Sequence, residues 1–278
     1  MTASEITIDA FMPGHLAEAL ALSQQARWPH RREDWALLLG ISKGWVALEA
    51  GRVVGTAMMT PLGATGGAIN MVIVSEAMRG RGIGRRLFAA TLEAAGTRRL
   101  RLTATPDGEP LYRSLGFKPF GHIFQRQGTL GPVPPTPGAE DATDDDFASI
   151  IALDRAAFGE DRSVLVQALR KVGRFAVIRR DGAVAAFACL RDFGRGKLIG
   201  PVVAPTTPDA QRLISHLAAG SEGSFMRLDI AADTGLDEWL TGLGLPQTDT
   251  GLVMWTEAPS LRPPDAARTM GLASQALG

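Results

Sequence analysis

The chain has 278 residues, enough for two domains of ordinary size, and sets 29 Lys plus Arg against 29 Asp plus Glu. That balance excludes a global field for nucleic acid or an anionic membrane, so any attraction for anions has to be local. One cysteine and four scattered histidines exclude an internal disulfide or cysteine cluster and give no ligand spacing, so no metal is expected.

No apolar run approaches the roughly 18 residues that span a bilayer, and MTASEITIDAF has no basic start followed by an apolar block. A cytoplasmic protein with no membrane partner is expected. Residues 6–10 alternate as a first strand, and 13–26 have helical periodicity with Pro13 near the start. Trp28-Pro29-His30-Arg31-Arg32 interrupts before a short amphipathic helix over 34–39. Strands follow at 44–49 and 53–60, joined by a tight turn at Ala50-Gly51-Arg52, and a third at 68–74 after a Gly-rich bend.

The stretch 71–95, MVIVSEAMRGRGIGRRLFAATLEAA, reads as buried strand, polar turn, basic glycine-rich loop and amphipathic helix over 84–95. In Arg79-Gly80-Arg81-Gly82-Ile83-Gly84 the glycines alternate with larger residues where the helix begins. Glycine permits positive φ and adds no Cβ, so the first helical amides can converge on one anion, as a pyrophosphate cradle does. A dinucleotide fingerprint fails, because its last glycine falls on Arg85 or Leu87; a P-loop fails, because Gly84-Arg85-Arg86 has neither its lysine nor its hydroxyl. A strand over 100–104, a short helix over 109–115 containing Leu111-Tyr112-Arg113-Ser114-Leu115-Gly116-Phe117, and a strand pair within 117–126 follow.

The loop fits (Gln/Arg)-x-x-Gly-x-(Gly/Ala) at Arg79, Gly82 and Gly84, and the later helix fits L-Y-x-x-x-G-F. In this order the two resemble the GCN5-related N-acetyltransferases over residues 6–128. The resemblance implies a mixed α/β (α+β) fold, a mostly antiparallel sheet flanked by helices, with acetyl-CoA as co-substrate. It implies that main-chain groups of Val72, Ile73 and Val74, on a strand end that splays from its neighbour, hold the pantetheine. Amides of Arg81, Gly82, Ile83, Gly84 and Arg85 would hold the pyrophosphate, with charge from Arg79, Arg81 and Arg85 beside Gly80. Tyr112 would protonate the departing sulfur, and Thr105 stands where a family asparagine often meets the coenzyme. Gly108 replaces a usual alanine. Two early helices often wall the acceptor site in this family, which makes Trp28 and His30 either substrate contacts or core aromatics. The strand 68–74 has no acid to serve as base; Asn70 could orient a water, and His30, Glu76 and His122 are the remaining relays.

Residues 129–143, with Gly131-Pro132-Val133-Pro134-Pro135-Thr136-Pro137-Gly138, read as a semi-rigid linker. Residues 144–257 then repeat the order of the first half, a second acetyltransferase-like domain in tandem. There Pro201, Pro205 and Pro208 replace the arginine and glycines, and Trp239-Leu240-Thr241-Gly242-Leu243-Gly244-Leu245 has no phenol. This half reads as catalytically silent, its role open between stabilising domain, pocket wall and homodimer face. The tail 258–278 carries no usable motif. The expected activity is direct acetyl transfer to an amine of a small molecule, without nucleic acid; the alternative is a non-catalytic acetyl-CoA-binding sensor or interaction protein.

Overall fold

The computed structural model describes residues 5–258, 263 and 266–278. The chain divides into two compact units, one running up to Leu102 and including Phe193–Arg195, the other containing the rest. The units therefore divide before the short helix, whereas the sequence places its domain boundary at 128.

The first unit contains β1 (Ile6–Ala10), α1 (Leu16–Gln25), α2 (Arg32–Ile41), β2 (Lys43–Glu49), β3 (Arg52–Leu62), β4 (Gly66–Val74), α3 (Ile83–Ala95) and the start of β5 (Arg99–Ala104). Its strands lie in the order β1-β2-β3-β4-β5, antiparallel as far as β4. The β2–β3 turn is tight because Ala50 and Gly51 both take positive φ, +50° and +78°. α3 follows β4 and its connection back makes β5 parallel to β4, paired from Gly66↔Arg99 to Ala68↔Arg101. One helix face, Ile83 and Leu87, is buried against Ala47 and Ala57 on the sheet. Gly55 permits that approach: a Cβ there would stand 2.9 Å from Leu87 Cδ1. Gly96 stops the helix at φ +60°.

The second unit holds α4 (Glu109–Ser114), β6 (Lys118–Thr129), β7 (Glu140–Asp141), α5 (Phe147–Phe158), α6 (Ser163–Arg170), β8 (Gly173–Arg180), β9 (Ala183–Phe193), β10 (Gly196–Ala204), α7 (Thr207–Ala218), β11 (Phe225–Ala231), α8 (Asp237–Gly242), β12 (Gln247–Trp255) and β13 (Arg268–Gly271). Their sheet order is β12-β6-β11-β13-β10-β9-β8-β7. The core beneath α7 joins Leu213, Ile214 and Leu217 to Ile199, Val202, Met226, Leu228 and Ile230.

Three readings change. The expected strand pair within 117–126 is a single 12-residue strand, β6, held on both edges by β12 and β11. The linker 129–143 contains β7, which pairs Glu140↔Val177 and Asp141↔Ala176. The tail is not featureless: β13 lies between β10 and β11, a four-residue run without alternation, invisible without the neighbours that complete its hydrogen bonds.

Candidate active site

The loop entering α3 has the conformation its glycines permit. Gly80 and Gly82 lie at φ +79° and +73°, and a Cβ at either would meet nothing within 4 Å. Gly84 is different. Its φ is ordinary and a Cβ would make normal contact with Val74 Cγ2 at 3.6 Å, so two glycines, not three, are required by backbone conformation. Gly82 is the N-cap of α3, with no side-chain hydrogen bond to the helix start and no acidic residue in the first turn. The amides of Ile83, Gly84 and Arg85 have no intrahelical acceptor by position, and they carry the positive end of the helix dipole. The chain itself places no acceptor side chain at this helix start.

The basic side chains around it differ. Arg79 and Arg85 are exposed. Arg81 is committed elsewhere, bonding Glu49 Oε1 at 2.9 Å and Met78 Sδ at 3.2 Å, and Arg86 donates to the Ile6 carbonyl at 3.0 Å. The side chain of Ile83 is buried in the core, leaving only its main chain for a ligand.

β4 carries a bulge the sequence does not announce. Met71 has φ +50°, and the register with β3 shifts between Thr56↔Ile73 and Met58↔Asn70. Thr56 Oγ1 donates to the displaced Met71 carbonyl at 2.7 Å, which fixes the kink. Pairing with β5 stops at Ala68, so Val72, Ile73 and Val74 run on past the parallel ladder. Asn70, before the bulge, is buried; its Nδ2 donates to Thr60 Oγ1 at 2.8 Å, and Thr60 shares a 2.7 Å bond with Ser42. Asn70 Oδ1 is buried with no hydrogen-bond partner among the described residues. Ser42 also lines a cleft of about 630 Å³ with Phe11, Leu16, Leu39 and Trp45.

Trp28 and His30 sit in an aromatic cluster of the first unit. The His30 ring lies 5.9 Å from Trp28, 6.4 Å from Trp35 and 5.3 Å, edge-on, from Phe193. Gly194 N–H donates to Asp34 Oδ2 at 3.1 Å, and the same carboxylate holds Arg31. Both rings are partly buried in this cluster.

In the second unit, Tyr112 is buried on α4 beside Phe117. Burial pushes its hydroxyl up to about 12. Gly108 makes room for the ring: a Cβ there would stand 2.8 Å from Tyr112 Cε2 and 3.1 Å from its oxygen. The unusual glycine is thus complementary to the phenol. Thr105 caps this turn, accepting from Gly108 N–H at its carbonyl, 3.0 Å, and at Oγ1, 3.3 Å. Cys189 is buried, its thiol pushed up to about 12 by desolvation, and so inert.

Two family profiles described as acetyltransferase (GNAT) domain match the chain, one over residues 41–119 and one over 150–267. A Bacillus subtilis (strain 168) protein, "Uncharacterized N-acetyltransferase YitH", is 30% identical over 275 residues, covering 95% of each chain. The chain belongs to the GNAT acetyltransferase family. It is an enzyme of acyl transfer to an amine, built as two GNAT domains in tandem. The fold agrees with solved structures: a Pyrococcus horikoshii acetyltransferase candidate superposes with a TM-score of 0.81 at 18% identity, covering 100% of this chain and 97% of that one. A tandem GNAT protein from the clavulanic acid biosynthesis pathway gives 0.64 at 19%, covering 92% and 100%. Among the described residues no helix is long and apolar enough to cross a membrane, and no cluster of three His, Cys, Asp or Glu could hold a metal.

Proposed function

We propose that this acetyltransferase takes acetyl-CoA as its donor and passes the acetyl group directly to an amine of a small molecule. The observation that carries the donor assignment is the start of α3: a left-handed Gly82, uncapped amides and open space where a side chain would be. These are the features a diphosphate needs. Arg79 and Arg85 add charge from the surface, whereas Arg81 holds the loop to Glu49. The main chain of Val72 to Val74, beyond the β4–β5 ladder, offers hydrogen bonds to the pantetheine amides.

The role of Tyr112 rests on its motif and protonation. A phenol at about 12 stays protonated throughout the physiological range, so it is a standing hydrogen-bond donor for a developing thiolate. Full transfer to a thiol near 8.5 would be uphill by roughly 5 kcal/mol from that environment. Tyr112 therefore acts first by stabilising charge on sulfur and gives up its proton as the thiolate leaves. Asn70 Oδ1 accepts a hydrogen bond from the amine or from a water, and an amine near pKa 10 must first lose its proton to bulk water, at about 4 kcal/mol at neutral pH. A small-molecule acceptor is supported by the cleft between α1, α2 and β2, whose volume suits a metabolite-sized ligand.

Gly82→Val tests the reading. A β-branched residue at positive φ with its side chain in the phosphate space is expected to abolish acetyl-CoA binding by calorimetry in a chain that remains folded by circular dichroism. Unchanged affinity would overturn it.

A further inference from the structure

The second unit repeats the strand–helix–strand of the first, β10, α7, β11, and its parallel pairing is as short: Lys197↔Met226 and Leu198↔Arg227. Beyond Leu198 the two strands separate. In the first unit no strand lies between β4 and β5 among the described residues. In the second, the opening is filled. β13 runs antiparallel to β10, with Val202↔Gly271, Val203↔Thr269 and Ala204↔Arg268, and it meets β11 at Ile230↔Gly271. Leu272 N–H donates to the Asp229 carbonyl at 2.8 Å. Met270, Leu272, Ala273 and Leu277 are all buried.

The seat is shaped for this segment. A Cβ on Gly200 would collide with the Leu272 carbonyl, and one on Gly271 would press Val202 at 3.1 Å. Arg191 donates to Ala273 O at 3.1 Å, and the fully buried Arg162 donates to Gly278 O at 2.6 Å. At the outer end Arg268 binds Asp233 at 2.6 Å.

A buried carboxylate stands at the start of α7. Asp209, fully buried in the first turn, receives Thr206 Oγ1 at 2.6 Å, Arg180 at 2.7 Å and Arg212 at 3.0 Å. Burial pushes its carboxyl up, but the bonds from Thr206 and Arg180 and the charges of Arg180 and Arg212 outweigh this and keep it below the ordinary carboxylate range.

We propose that the opening between β10 and β11 is a peptide-binding cleft whose occupant is the chain's own segment 268–277, and that this segment with Asp209 imitates from within the coenzyme's two anchors, main-chain amides and an anion. The word coenzyme rests on the function proposed above; strand capture does not. An unpaired strand edge invites a strand, and here the chain supplies it in cis. The opening between β10 and β11 is closed to acyl donors because its strand edge is already paired and a carboxylate already stands at the start of α7.

The test uses the full chain with Gly271→Val, which lifts β13 off Val202. Amides of Thr269 to Leu272 are expected to exchange at least tenfold faster, and a synthetic peptide of residues 266–278 with the natural sequence should bind the variant and not the wild type. Unchanged protection, or a folded variant that refuses the peptide, overturns the proposal. Should that variant fail to fold, Arg268→Ala loosens only the outer end: faster exchange at Thr269 to Gly271 with Arg227 and Leu228 still protected is expected, and no change there overturns it equally. Gly82→Val, which removes coenzyme binding under the function above, should leave peptide capture by the Gly271→Val chain intact, so the two readings fail separately.

Discussion

Helices α3 and α7 each follow the third strand of a hairpin-and-strand unit, and they begin in opposite ways. α3 opens on a left-handed glycine with no cap and no acid. α7 opens on Thr206, which accepts the Asp209 N–H, and on a buried carboxylate gripped by two arginines. Both carry the positive end of a helix dipole, but Pro208 in the first turn of α7 has no N–H to offer. Of the two, only α3 begins without a side-chain cap. Under the function proposed above, the binding site is made by withholding interactions the chain could have made for itself, and the start of α7 shows what making them looks like. Strand edges follow the same rule: β4 runs past its ladder, while β10 is met by β13.

The comparison can be broken most severely at Arg162. Its guanidinium is wholly buried, binds both oxygens of Asp154 and lies over the Phe158 ring. Arg162→Ala strands a buried carboxylate and is expected to lower stability by roughly 3–5 kcal/mol in urea unfolding. A drop under 1 kcal/mol would mean the second unit does not depend on its internal pairing. Next comes the phenol of Tyr112, which the segment Trp239-Leu240-Thr241-Gly242-Leu243-Gly244-Leu245 lacks. Tyr112→Phe should slow turnover by on the order of 10²-fold with donor affinity unaltered; normal turnover would move sulfur protonation to another group.

A titration sharpens the same residue. Tyr112 is the only tyrosine, so tyrosinate absorbance reports it alone: a midpoint near 12 is expected in the native chain and about 10 in the unfolded one. The native value being the higher, its contribution to stability is complete below pH 10 and is lost as pH rises from there toward 12. A native midpoint of 10 would mean the ring is solvated. The smallest effect belongs to Arg81, whose pair with Glu49 is partly exposed. Arg81→Ala should alter stability by less than about 1 kcal/mol and weaken donor binding only through a looser loop.

Much of this was legible in the residues. The alternation 44–49 and 53–60 about Ala50-Gly51 corresponds to β2 and β3, and Arg79 to Gly84 is a turn with left-handed glycines ahead of α3, because periodicity and glycine spacing act within a few residues. The bulge at Met71 was not legible: nothing in Asn70-Met71-Val72 departs from a strand pattern until Thr56 captures a carbonyl from across the ladder. Nor was the ring cluster around His30 legible, since Phe193 is far away in sequence.

What the sequence determined by itself was the order of elements, the glycine-rich turn before α3 and the family. Those depend on local backbone freedom, on charge and on period. The tertiary structure alone decided which openings stay open. It spent Arg81 on Glu49, seated Tyr112 against Gly108, and drew Arg268–Gly271 between β10 and β11, because a strand or a charge has no partner until distant segments arrive beside it.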